Sequence, residues 1–169
     1  MMMRHAKSSW DEAGLKDFNR ELAPRGEKAA PVMGHFLKLI DHVPDFIIAS
    51  PAIRAKRTAN LVRDICCQSV QIIWDESLYT GSGKDYGKAL QQVSEDYSNV
   101  LIIGHNPSIQ EAAVYLFDAN GTSAIHFSTA CIVCMQLNGV KWSDVLPGKA
   151  QLDWMITPKL LKSLGFPRD

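Results

Sequence analysis

No run of apolar residues in this chain approaches the roughly 20 that a membrane-spanning helix needs, so helical insertion into a bilayer is excluded as a reading. Net charge is missing too. Eighteen Lys and Arg offset eighteen Asp and Glu, and no overall field draws the chain to nucleic acid or an anionic membrane surface. There is no internal repeat, low-complexity tract or linker, which leaves a single domain over residues 1–169. The polar pair Arg4-His5 arrives too early for a cleavable signal peptide. Cysteine is scarce: Cys66 and Cys67 are adjacent, while Cys131 and Cys134 sit in an apolar run. Adjacent cysteines lack zinc-ligand spacing, so the four read as small buried hydrophobes in a reducing, cytoplasmic setting. No cluster of carboxylates or histidines has metal-ligand spacing either, and neither a metal nor a cofactor is expected.

What is present is an alternation of strand-like and helix-like segments. Short β-branched runs stand at 45–49, 70–74 and 99–103, apolar enough to be buried on both faces of a parallel sheet. Between them lie helical patterns at about 25–42, 51–66, 83–97 and 107–118. The alternation predicts an α/β protein, a three-layer α/β/α sandwich. Residues 130–137 and 151–156 read as two successive strands, which adds an antiparallel strand near the C-terminus. Ser50-Pro51 and Asn106-Pro107 each place a good N-cap residue before a proline at the first helical position. Both follow a strand, so both helix N-termini open at one edge of the sheet, where free amides favour an anion. Pro31 falls inside the first helical pattern and predicts a kink, or a helix that begins after residue 25.

Two histidines stand where apolar segments stop: His5, directly after Arg4, and His105, between Gly104 and Asn106. Such positions lie outside the carboxyl ends of the strands, where open α/β sheets bind ligands. A guanidinium neutralises a tetrahedral anion through paired donors, and a neutral imidazole nitrogen can then attack it. Alone, His105 reads more often as structural than catalytic, and the Arg4-His5 pair as a solvated N-terminus. Arg54 and Arg57 lie three apart on the helix after Pro51, with Arg54 nearer the expected pocket and Arg57 solvated or bracing.

These runs, Arg4-His5-Ala6-Lys7-Ser8, Ser50-Pro51-Ala52-Ile53-Arg54 with Thr58-Ala59, and Gly104-His105-Asn106-Pro107, resemble the histidine phosphatase superfamily, also called phosphoglycerate mutase-like. The short chain and the Arg-His-Ala-Lys opening are similar to its SixA-type branch of phosphohistidine phosphatases. Asp17-Phe18-Asn19-Arg20-Glu21-Leu22 before Gly26, Trp142, and Thr157-Pro158 extend the likeness over nearly the whole chain. The resemblance implies that His5 is the nucleophile that becomes phosphorylated and that Arg4, Arg54 and His105 surround the phosphoryl group. Asn106 adds a polar contact or serves only as a cap, and Arg20 braces the pocket or caps its own loop.

Larger members of the family supply a carboxylate acid from the region after the third strand, often beside an inserted cap domain. Here that region offers Asp75 and Glu76, and the stretch to Asn99 is too short for a cap. Glu76 is the candidate acid, with surface ion pairing as its alternative. Only Met1-Met2-Met3 precede the Arg-His pair, against about five or six residues in a typical strand, so a start lying further upstream is expected. The function expected is a metal-independent phosphatase with a phosphohistidine enzyme intermediate. Its partner would be a phosphorylated protein or a small phosphate ester. The alternative is a phosphate-binding module with little turnover, and mutase chemistry is disfavoured by the lack of an enclosing cap.

Overall fold

The computed structural model describes residues 1–11 and 14–166. Six strands form one sheet in the order β3-β2-β4-β1-β5-β6: β1 Met2–Arg4, β2 Phe46–Ala49, β3 Ile72–Trp74, β4 Val100–Gly104, β5 Ile132–Gln136 and β6 Gln151–Ile156. β1 to β4 are mutually parallel. β5 runs antiparallel to β1, and β6 antiparallel to β5. The mostly parallel sheet with an antiparallel strand late in the chain is therefore present as expected. Although β1 has only three residues, it lies in the middle of the sheet, pairing with β4 at all three and with β5 at Met2 and Met3.

The helices are α1 Pro24–Leu39, α2 Ile53–Cys66, α3 Ser77–Thr80, α4 Gly83–Gln91, α5 Ser108–Phe117 and α6 Pro158–Ser163. Side-chain alternation along the strands sorts them into two layers. Met3, Ile47, Leu101, Ile103 and Ile132 face a core built with α1, α2 and α6. Met2, Ile48, Val100, Ile102 and Val133 face the other, built with α3, α4 and α5. β4 is buried at every residue, as its uninterrupted apolar run Val100-Leu101-Ile102-Ile103 requires.

Three local expectations need correction. α1 starts at Pro24, at the first helical position, and continues through Pro31 to Leu39 rather than starting after residue 25. The pattern over 83–97 stops at Gln91, because Ser94 and Asp96 close a hydrogen-bonded turn beyond it. Ser50 and Asn106 are not N-caps: α2 is preceded by Ala52 and α5 by Pro107. Ser50 instead meets the His105 ring as well as the Ala52 N–H, and Asn106 donates to Gln110 of α5 and to Phe127 O, with consequences for the site.

Candidate active site

β2, β4 and β1 are neighbours and end level, with Ala49 opposite Ile103 and Arg4 opposite Gly104. The residues that follow, Ser50, His105 and His5, therefore leave the sheet side by side. The helix after β1 packs on one face and the helix after β4 on the other. A crevice opens at such a switch point. The rings of His5 and His105 lie 4.9 Å apart, centroid to centroid. Gly104 is demanded here, because a Cβ at this position would overlap the Tyr86 hydroxyl. That hydroxyl accepts the His105 backbone N–H at 3.0 Å and donates to Leu78 O at 2.8 Å.

Counting donors and acceptors assigns the protons on both rings. The Nδ1–H of His5 donates to Ala6 O at 2.7 Å, while its Nε2 accepts the Arg54 Nε–H at 3.2 Å. His5 Nε2 is thus a bare nitrogen with its lone pair in the crevice. The fully buried Ser50 hydroxyl accepts the Ala52 N–H at 3.3 Å and lies 2.8 Å from His105 Nε2. No other acceptor for its hydrogen is found among the described residues, so Ser50 donates to Nε2 and His105 carries its proton on Nδ1. That Nδ1 is buried and has no partner, and neither has Arg4 Nε. Two donors that have left water without compensation are a strong local demand for an acceptor.

Electrostatics keep both rings neutral. Burial, with His105, Arg54 and Arg4 adding positive surroundings, holds His5 well below its ordinary value. Burial, then Arg54 and Arg4, pushes His105 down to about 4. Desolvated imidazoles beside guanidiniums resist protonation for both reasons. Arg54 is only 5% exposed and is fixed from α2 by a second layer of contacts. Thr58 Oγ1 donates to Arg54 O at 2.7 Å and accepts the Ala6 N–H at 3.0 Å, tying the arginine's turn to the loop after His5.

Of the remaining expected residues, Arg57 lies outside this cluster, in a half-exposed forked pair with Glu27. Glu76 is exposed at the turn before α3, and its carboxylate has no hydrogen bond to the cluster. The amide nitrogen of Asn106 donates to Gln110 Oε1 and Phe127 O, both at 3.2 Å, so its donors are engaged within the protein. Phe127 O also accepts from Arg4 Nη1 at 2.9 Å, which steers the guanidinium and leaves its Nε free. Arg20 lies beside the cluster and ties the loop around Asp17 to residues 8 and 9. It donates to Ser9 O, Ser8 Oγ and Asp17 Oδ1 and lies 3.3 Å over the Trp10 ring.

A sequence profile of the histidine phosphatase superfamily (branch 1) matches residues 1–79. The uncharacterized protein Rv1276c of Mycobacterium tuberculosis is 30% identical over 165 residues, covering 93% of this chain and 100% of that one. The chain belongs to the histidine phosphatase superfamily. A solved protein histidine phosphatase SixA complexed with tungstate superposes with a TM-score of 0.79 at 25% identity, covering 95% of this chain and 97% of the other. A structure assigned as phosphohistidine phosphatase SixA from Nakamurella multipartitia gives 0.79 at 26% identity, with 92% and 93% covered. This histidine phosphatase is thus of the SixA type, with the phosphoglycerate mutase-like fold.

The carboxylate that reaches the site of this histidine phosphatase is one that sequence reasoning did not single out. Asp17, in a short 3-10 turn, accepts from Arg54 Nη2 at 2.8 Å, Arg20 Nη1 at 2.9 Å and the Tyr79 hydroxyl at 3.1 Å. Its partial burial would raise its carboxyl, but the bonds from Arg54 and Arg20 outweigh this and bring it below the usual range. A metal-compatible set exists elsewhere: His42, Cys134 and Asp153 have ligand atoms within 4.8 Å of one another. With Ser98 and Asn99 they line a cavity of about 470 Å³, at the opposite end of β4 from His105. Among the described residues, no helix is long and apolar enough to cross a membrane.

Proposed function

We propose that this phosphatase works without a metal, that His5 Nε2 takes the phosphoryl group from substrate, and that the substrate is a phosphohistidine carried on a protein. The observation that carries this reading is the pairing of an unprotonated His5 Nε2 with two buried, unpartnered donors, His105 Nδ1 and Arg4 Nε. A nucleophile without its proton beside donors without acceptors is what in-line transfer of a phosphoryl group calls for. Arg54 holds the attacking nitrogen and supplies positive charge at the same point. Positive side chains then do the work that a bound cation does in other phosphoryl-transfer sites.

The preference for phosphohistidine over a phosphomonoester rests on what surrounds the leaving group. Among the described residues, the carboxylate nearest the nucleophile in the hydrogen-bond chain is Asp17. It is held ionised and is a poor proton donor at neutral pH. An alkoxide leaves badly without a proton, whereas an imidazole with its second nitrogen protonated leaves as a neutral ring. Between β3 and β4 the chain forms only α3 and α4, so the reading includes a single domain without a cap and a mouth open to a protein-borne phosphate. The SixA structures, of which one is a protein histidine phosphatase, support the same substrate class.

The test is a side-by-side assay of a histidine-phosphorylated phosphocarrier protein and p-nitrophenyl phosphate, each with and without EDTA. Faster release from the phosphohistidine protein, unchanged by EDTA, is expected. Loss of activity in EDTA, restored by magnesium or zinc, would contradict the metal-free reading, and equal rates on the two substrates would contradict the preference.

A further inference from the structure

We infer that Asp17 is the general base of the second half-reaction, accepting a proton from the water that hydrolyses phosphorylated His5. The inference rests on the reading of His5 as the phosphorylated nucleophile and adds the residue that regenerates it. Asp17 Oδ2 is bound to Nη2 of the same guanidinium whose Nε donates to His5 Nε2. One rigid planar group therefore spans the base and the nucleophile. The carboxylate is positioned by donors from three separate segments, Arg20 from its own loop, Arg54 from α2 and Tyr79 from α3, yet its side chain remains 52% exposed. It also lines a cavity of about 490 Å³ with Trp10, Leu15 and Arg20. Glu76, the carboxylate expected from the sequence, has no such contact with the site.

The step balances without a further reagent. Water oxygen forms a bond to phosphorus, the phosphorus–Nε2 bond breaks, and its electron pair returns to Nε2 of a ring that keeps its Nδ1–H on Ala6 O. The water proton passes to Asp17, which later loses it to solvent, and phosphate departs. Occupation of the pocket itself makes Asp17 a better base. A phosphoryl dianion draws on the Arg54 charge that otherwise stabilises the carboxylate and adds negative charge nearby, and both effects raise proton affinity. In the first half-reaction the same ionised carboxylate has no proton to give, consistent with a leaving group that needs none.

Asp17→Asn keeps an oxygen for Arg54 and a neutral side chain of the same size, but removes the base. Labelled phosphoramidate, a small donor with a nitrogen–phosphorus bond, would be mixed with each protein and the phosphoenzyme followed by alkaline quench. General-base removal typically costs about 10²- to 10⁴-fold. The expected result is a phosphoenzyme whose breakdown slows by at least about a hundredfold while its formation changes by less than about tenfold. Asp17→Glu, which keeps the base, should recover part of the breakdown rate. If formation and breakdown slow equally, or if breakdown keeps its wild-type rate, Asp17 acts only through Arg54 or not at all and the inference fails. If neither wild type nor Asp17→Asn carries label while both release phosphate, it is the phosphohistidine reading itself that fails.

Discussion

Arg54 and Arg57 of α2 separate the site from its surroundings most sharply. Arg54 is almost fully buried, and three of its five N–H donors go to His5 Nε2, Asp17 O and Asp17 Oδ2. Arg57, one turn later, is half exposed and pairs with Glu27. A charge-assisted hydrogen bond removed from a buried anion costs about 1.5–3 kcal/mol, and the forked Arg54 can offer a phosphoryl group two. Arg54→Ala should therefore lose about 3–6 kcal/mol of transition-state stabilisation, roughly 10²- to 10⁴-fold in kcat/KM. Arg54→Lys keeps the charge without the fork and should fall between. Arg57→Ala breaks a solvent-screened pair worth about 0–1 kcal/mol of stability, and its kcat/KM should stay within about twofold of wild type. Phosphoramidate hydrolysis, with vanadate inhibition as an independent measure of anion binding, reads both effects. Equal losses at the two positions, or an Arg54→Ala enzyme within about tenfold of wild type, would refute the assignment of the pocket arginine.

Two further predictions follow from the protonation states. His105 is ordinary in the unfolded chain at 6.5 but lowered to about 4 in the fold, so the unfolded state takes up a proton first. The stability present above pH 6.5 should fall by roughly 3 kcal/mol as pH drops to about 4 and then level off. His5, lowered in the same direction, deepens the loss. Urea midpoints at pH 7 and pH 5 should differ less in His105→Gln than in wild type; identical differences would contradict the assignment. Ser50→Ala removes the hydroxyl that donates to His105 Nε2. Ring nitrogen NMR should show His105 protonated on Nδ1 in wild type and a mixture of tautomers in the variant, with vanadate binding weakened about tenfold. A wild-type signal from an Nε2–H tautomer would overturn it.

The layered sheet was legible because β4 and β2 are short β-branched runs, buried on both faces and separated by helical periodicity. His5, His105 and Arg54 were legible because each follows a strand end or opens the helix behind one, and level strand ends bring such positions together. Ser50 and Asn106 misled at the level of local grammar. Their residue types suit an N-cap, but neither caps its helix: Ser50 is shared between the Ala52 N–H and the His105 ring, and Asn106 is held by Gln110 and Phe127 O. Asp17 was not legible as a site residue. It belongs to a loop without periodicity, and its partner Arg54 lies 37 residues further on. A signal does exist in retrospect: Arg20, three residues later and only 8% exposed, is a buried charge that needs a partner close in sequence. Glu76 has the right chemistry in the right stretch, but nothing in the local pattern reveals which way a turn residue before a four-residue helix faces.

The central claim is a covalent phosphohistidine at His5, and mapping the site of phosphorylation tests it most directly. The protein would be reacted briefly with labelled phosphoramidate, quenched in alkali, digested, and analysed by mass spectrometry. The account predicts phosphate on the peptide containing His5, lost on acid treatment as phosphoramidates are. It also predicts no label in His5→Ala, whose turnover should fall by at least about a thousandfold. Phosphate recovered on His105 or on a serine, with His5→Ala still active, would contradict it.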